Sequence, residues 1–130
     1  MARRLINPPE MHPAPSYSHI AIAEGHTVVY FAGQVALDAE LAVIGPDDLH
    51  QQIVASMRNL EKAMKAAGVS WDDIVRRTIY TTRPHELATI GTAVREVTGD
   101  TANPPQTIVG VTGLALPELL VEVECTAVLG

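Results

Sequence analysis

Few residues in this chain have the types and spacing that chemistry needs. The last apolar run carries a carboxylate pair, Glu122 and Glu124, and a carboxylate can hold a water molecule and take up its proton. Tyr17 stands in a Pro-rich lead, and a Gly33-Gln34 step follows a β-branched and aromatic run. Nucleophile elbow, phosphate loop, dinucleotide fingerprint and metal motif are all missing. Gly110-Val111-Thr112-Gly113 holds two glycines but follows a strand without opening a helix, so it reads as a loop or bulge. Five histidines (His12, His19, His26, His50, His85) show no metal-ligand spacing. The first three recur every seven residues, but they fall in a lead, a strand and a turn, which reads as coincidence. Neither a metal nor a cofactor is expected.

The rest of the composition narrows the setting of those residues. A length of 130 residues suits one domain, 1–130, and 47% hydrophobic residues exclude a disordered chain. No stretch of about 20 apolar residues exists, so no membrane span is expected. The start is basic but lacks the apolar segment of a signal peptide, and Cys125 is the only cysteine. A cytoplasmic, reducing setting follows as the default. Fifteen acids against nine bases give a net charge of -6. With no basic stripe beyond Arg76-Arg77, a polyanion would be repelled, and no nucleic-acid partner is expected.

The elements that position these residues follow from pattern. Residues 1–16, with Pro8, Pro9, Pro13 and Pro15, read as an extended N-terminal arm. Ser18–Ala23 and Thr27–Ala32, joined by Glu24-Gly25-His26, read as a hairpin. Asp48, with Gln51 three residues on, opens a helix whose stripe is Ile53, Met57, Leu60, Met64 and Ala67, and Gly68 stops it. Ser70 and Asp73 suggest a capped turn before a strand over Ile74–Thr82. Pro84 suits the first position of a second helix, with Leu87, Ile90, Gly91, Val94 and Val97 on one face and Gly99 at its end. Strands near Gln106–Val111 and Leu119–Val128 complete the chain. The order is β-β-α-β-α-β-β, an α+β domain with a mixed sheet and two helices on one face.

Two helices cover one face of a sheet, and a wetted second face should alternate cleanly between apolar and polar residues. Here both faces of Thr27–Ala32 are largely apolar. The second face of the last strand (Leu120, Glu122, Glu124, Thr126, Val128) is mixed. A homo-oligomer that buries the helix-free face around a polar site is the expectation.

Read in order, the motifs are similar to those of the Rid/YjgF family. They comprise Ser16-Tyr17-Ser18-His19, Phe31 through Asp38, and a helix with Gln52, Asn59-Leu60 and Ala66-Ala67-Gly68. Asp72-Asp73-Ile74-Val75, Asn103-Pro104-Pro105-Gln106-Thr107 and the ending Leu120-Val121-Glu122-Val123-Glu124 follow. The resemblance covers nearly the whole chain. It implies a YjgF/chorismate-mutase-like homotrimer, with three sheets around a central barrel, helices outside, and small-molecule clefts between subunits. It also implies hydrolysis of reactive imines and enamines, notably 2-imino acids.

Position by position, Glu122 matches the family's site glutamate, which would orient and deprotonate water, although an ordinary polar strand residue accounts for it as well. Tyr17 matches a tyrosine that closes the cleft; an arm aromatic packing as a lid is the plainer account. Gly33 suits a backbone that approaches a ligand, and a strand end explains it equally. The substrate-side positions also depart from the family. Gln106, beside Thr107, stands where the imino-acid hydrolases carry arginine, Gly91 replaces an asparagine, and Ala32 replaces a serine. A substrate carboxylate would lose a charge-assisted pair, whose hydrogen bonds are worth about 1.5–3 kcal/mol each. Two readings stay open. One is an enzyme acting on an imine or enamine other than a simple 2-imino acid, with Glu122 catalytic; the other is a non-catalytic ligand-binding trimer. Ribonuclease action is disfavoured by the acidic charge.

Overall fold

The computed structural model describes residues 3–130, so Met1 and Ala2 of the arm lie outside the described residues. The longest element is α1, Leu49–Ala67. Asp48 caps it, its Oδ1 accepting the Gln51 N–H at 3.0 Å. Gly68 ends it in the left-handed region at φ 71°, and the Val69 N–H reaches back to the Met64 carbonyl. Ile53, Met57, Leu60 and Met64 are buried as their spacing predicts, but Ala67 is exposed. Val69 takes over the inward contact two residues later because the cap folds it back under the helix.

Six strands accompany it: β1 Arg3–Ile6, β2 Ile20–Ala23, β3 Thr27–Gln34, β4 Ile74–Thr81, β5 Gln106–Gly110 and β6 Val121–Leu129. The second helix, α2, runs Leu87–Thr98. The main sheet has the order β3-β6-β4-β5, antiparallel except for the parallel β4–β5 pair. Both helices pack on one face, where Ile79, Val121, Val123 and Ala127 meet Leu60 and Ile90 in a single buried cluster. Each such fully buried Val, Leu or Ile side chain contributes roughly 1.5–3 kcal/mol. The α+β architecture with a mixed sheet and one-sided helices therefore stands.

Two expectations about the strands do not. The hairpin over 18–32 is absent: β2 pairs with β1, and β3 pairs with β6 across the chain. The reason lies at the turn. The His26 N–H bonds the Leu129 carbonyl, and Gly25 passes so close to that carbonyl that a Cβ would collide with it. The chain is drawn onto the end of β6 instead of doubling back. Part of the arm is paired: β1, over Arg3–Ile6, adds a strand to the expected order. Its Arg3 is buried, donating to the Ile74 carbonyl at 2.7 Å and the Ala102 carbonyl at 2.8 Å.

Pro84 also sits differently. Helix α2 starts three residues later, after a turn in which the Glu86 N–H bonds the Arg83 carbonyl. The proline ring packs against Gly110 at the end of β5, where a Cβ would come within 2.9 Å of it. On the opposite side of the sheet Tyr30 is 79% exposed and Val28 49%. No helix in the described residues is long and apolar enough to cross a membrane.

Candidate functional site

The segment before β2 is stapled to the loop before β5. The Ser18 hydroxyl donates to the Asn103 carbonyl at 2.6 Å, and its N–H to the Pro104 carbonyl. This anchor sets Tyr17 beside β5 and α2. There Tyr17, Gly91, Gln106 and Thr107 line one groove of about 810 Å³, a size that accepts an organic molecule rather than a single ion. Gly91 lies on the groove side of α2, with open space where a side chain would stand. Leu87 is 61% exposed at the same rim, so the helix face expected to be core divides: Ile90, Val94 and Val97 are buried and Leu87 is not.

Glu122 stands elsewhere. It alternates with the buried Val121 and Val123, so it lies on the helix-free face. Gly33 lies directly beneath it: a Cβ there would collide with the carboxylate. The β3–β6 register slips between Phe31 and Gln34, so Ala32 and Gly33 form the irregularity opposite β6. Within one chain the structure thus assembles two groups, Tyr17–Gly91–Gln106 on the helix side, with Thr107 at the sheet edge and its hydroxyl turned to the bare side, and Ala32–Gly33–Glu122 on the bare side. Tyr80 joins the second group; its hydroxyl donates to Glu124 at 2.6 Å, and this bond holds the phenol's pKa above its ordinary value. Among the described residues no group of three or more His, Cys, Asp or Glu could hold a metal.

Several contributors were not legible beforehand. Arg77 is only 1% exposed, and its Nε donates to Gln106 Oε1 at 2.5 Å. An arginine has no acceptor, so the amide oxygen must face it, which leaves the N–H groups of Gln106, itself a groove residue, free to donate elsewhere. Burial pulls the guanidinium down to about 10, an effect that the neighbouring Cys125 opposes, so it stays charged at neutral pH. Burial likewise pushes the Cys125 thiol up to about 12. The available signal was the Arg76-Arg77 pair: in an alternating strand one of two successive arginines must point inward. Arg76, the outward one, donates to the Thr107 hydroxyl at 2.7 Å.

The seven-residue histidine spacing also has a partial counterpart. His12 and His19 pack edge-on at 4.7 Å between centroids, and Tyr17 packs on His19 at 5.4 Å. His19 Nε2 lies 2.9 Å from the His12 carbonyl. The two imidazoles brace Tyr17, and no metal spacing was needed to bring them together. Two other motif residues belong to the scaffold. Buried Gln52 donates to the Gly45 and Glu118 carbonyls and accepts from the Leu120 N–H, tying α1 to the entry of β6. Asn59 holds the Val35 and Leu37 carbonyls in the segment after β3.

Comparison with known proteins bears on this arrangement. The family model described as Endoribonuclease L-PSP matches residues 8–129. A RutC family protein of Synechocystis sp. is 28% identical over 120 residues, 90% of each chain. A Rid family protein of unknown function from Yersinia pestis, YyfB, superposes with a TM-score of 0.93. It is 34% identical and spans 99% of this chain and 100% of its own. A member of the YjgF/YER057c/UK114 family from Mycobacterium tuberculosis is 29% identical, with a TM-score of 0.68, over 98% of this chain and 100% of that one.

Proposed function

The chain belongs to the Endoribonuclease L-PSP family, whose relatives carry the names RutC, Rid and YjgF, and from that membership we propose that it works as a homotrimer hydrolysing a small imine or enamine other than a simple 2-imino acid. One observation carries the reading: Glu122 and Gln106 stand on opposite faces of one sheet, each beside half of a site. Copies packed through their helix-free faces would cover Tyr30 and Val28 and let the Glu122 half of one subunit complete the groove half of the next. Such a face is apolar enough to call for cover.

The chemistry asks little of the protein. Water adds its oxygen to the C=N carbon while the Glu122 carboxylate takes the water's proton. The π electron pair moves to nitrogen, which collects a proton to give a carbinolamine. Collapse to the ketone expels ammonia: the proton held by Glu122 passes to the leaving nitrogen, and the carbinolamine hydroxyl releases its own proton to solvent, replacing the one that nitrogen took from solvent in the addition. Gln106, with its N–H groups left free by Arg77, steadies a neutral oxygen of the substrate. Tyr17 closes the outer side of the groove.

A second reading, a trimer that binds without turnover, is favoured by Gln106 itself, which brings no charge where the family's imino-acid hydrolases would carry arginine. The two separate in a semicarbazide competition assay with imines made in situ. Acceleration of the hydrolysis of an imine that carries no carboxylate on the adjacent carbon, lost in Glu122→Gln, with little effect on simple 2-imino acids, supports the enzyme. Absence of acceleration for every imine offered leaves the binding role. Robust turnover of several 2-imino acids would show the arginine to be dispensable.

A further inference from the structure

The charge that Gln106 does not bring is present on a different element. Arg95 lies one turn beyond Gly91 on the same side of α2 and lines the same groove. Side chains on a helix lean toward its N-terminus, over the preceding turn. The preceding turn here is Gly91, above which there is nothing within 4 Å of a Cβ position. The guanidinium rests instead toward Gly99, one turn further on, and the open space at Gly91 leaves it room to swing back over the groove. No ion pair among the described residues occupies it, and its neighbour Glu96 is engaged by His50 at 3.0 Å instead. Its one hydrogen bond is a long 3.5 Å contact to the Gly99 carbonyl.

The groove as a whole is electropositive in an acidic protein. Acids outnumber bases 15 to 9 in the chain, yet no Asp or Glu is among the groove's lining residues. The Gln106 amide, its oxygen taken by the buried Arg77 cation behind it, has only N–H donors left to offer. Ile90, Val94 and Ile108 supply apolar wall between Arg95 and Gln106, beside the uncharged polar Ser16, Thr92, Asn103 and Thr107. From Leu87 to Arg95 the helix alone runs roughly 12 Å at about 1.5 Å per residue. A 2-imino acid of a few atoms would fill little of a volume of about 810 Å³.

We infer that the groove binds an elongated, mostly apolar molecule through a terminal carboxylate gripped by Arg95, with Gln106 donating to a neutral acceptor nearer the middle. This rests on the proposed imine hydrolysis only for where the C=N bond sits: the acid group lies several carbons away from it, not on the adjacent carbon. The family's grip on an α-carboxylate is lost at Gln106, and a grip on a remote one is supplied from α2.

Octanoate, butanoate, octanol and octylamine serve as probes in titration calorimetry on the full chain. Octanoate should bind, more tightly than butanoate, and octylamine should not. Arg95→Gln should weaken octanoate about tenfold, the worth of one charge-assisted pair, and leave octanol unchanged; Arg95→Lys should retain part of the affinity. Because Arg95 is exposed, its octanoate contact should also weaken as salt rises. The inference is overturned if octanoate fails to bind, if it binds no better than octanol, or if Arg95→Gln leaves its affinity unchanged. The imine assay is scored separately. Octanoate binding through Arg95 without turnover defeats the hydrolysis alone, and turnover that octanoate does not inhibit defeats the groove assignment alone.

Discussion

Replacing Gln106 with leucine removes the acceptor that Arg77 Nε bonds at 2.5 Å. The guanidinium is 1% exposed, and its Nη2 already has no partner among the described residues. Leucine would leave a second buried donor of the same cation unpaired. Hydrogen bonds to charged groups are worth about 1.5–3 kcal/mol. Gln106 is itself only half-buried, so water can recover part of the loss, and about 2 kcal/mol is expected. For a domain of this size that lowers Tm by roughly 6 °C, at a fixed protomer concentration if the chain is oligomeric. Arg77→Met removes the desolvated charge along with its demand for partners, so it should be close to neutral. In that background Gln106→Leu should cost nothing. The measurement is a double-mutant cycle by urea unfolding, with a coupling energy of about 1.5–3 kcal/mol expected. A coupling below about 0.5 kcal/mol would refute the claim that Arg77 holds the amide, and with it the assignment of Gln106 as a donor in the groove.

Three further outcomes test other links. Gly33→Ala meets only the mobile end of Glu122, so stability should fall by less than about 1 kcal/mol. Displacing the carboxylate should nevertheless cut any imine turnover about tenfold or more, and unchanged turnover would remove Glu122 from the chemistry. Tyr30→Glu puts a charge at a position 79% exposed on the bare face. Light scattering should move from about three times 13.9 kDa to a single chain, and a parent particle of 13.9 kDa would defeat the trimer at once. The Cys125 thiol ordinarily ionises near 9.0 and is raised to about 12 in the fold. The unfolded chain therefore loses this proton first, and stability falls as pH rises above 9, by about 1 kcal/mol between pH 9 and 10. Arg77 acts with the opposite sign, but only above about 10. Cys125→Ala should flatten the interval from 9 to 10 in pH-dependent urea unfolding; an unaltered slope would mean the thiol is not desolvated.

The amino-acid sequence by itself determined what depends on near neighbours along the chain. The stripe from Ile53 to Met64, the Asp48 cap and the Gly68 stop were readable because a helix closes its bonds four residues apart. The same holds for the Ser70–Asp73 turn, and the alternation along β6 correctly separated Val121, Val123, Cys125 and Ala127 from Glu122. The ordered motifs were enough to indicate the family. Tertiary structure alone decided the partners of the strands, because a pleated edge accepts any strand and the choice of β6 over β2 for β3 rests on contacts made across the whole chain. It decided that Pro84 packs on Gly110 rather than opening α2, that Arg77 turns inward to hold Gln106, and that Gly91 and Arg95 line one groove. It also put Glu122 and Gln106 on opposite sides of one sheet. Residue spacing specifies which side chains share a face, but what lies across a groove from them is set by how distant segments pack.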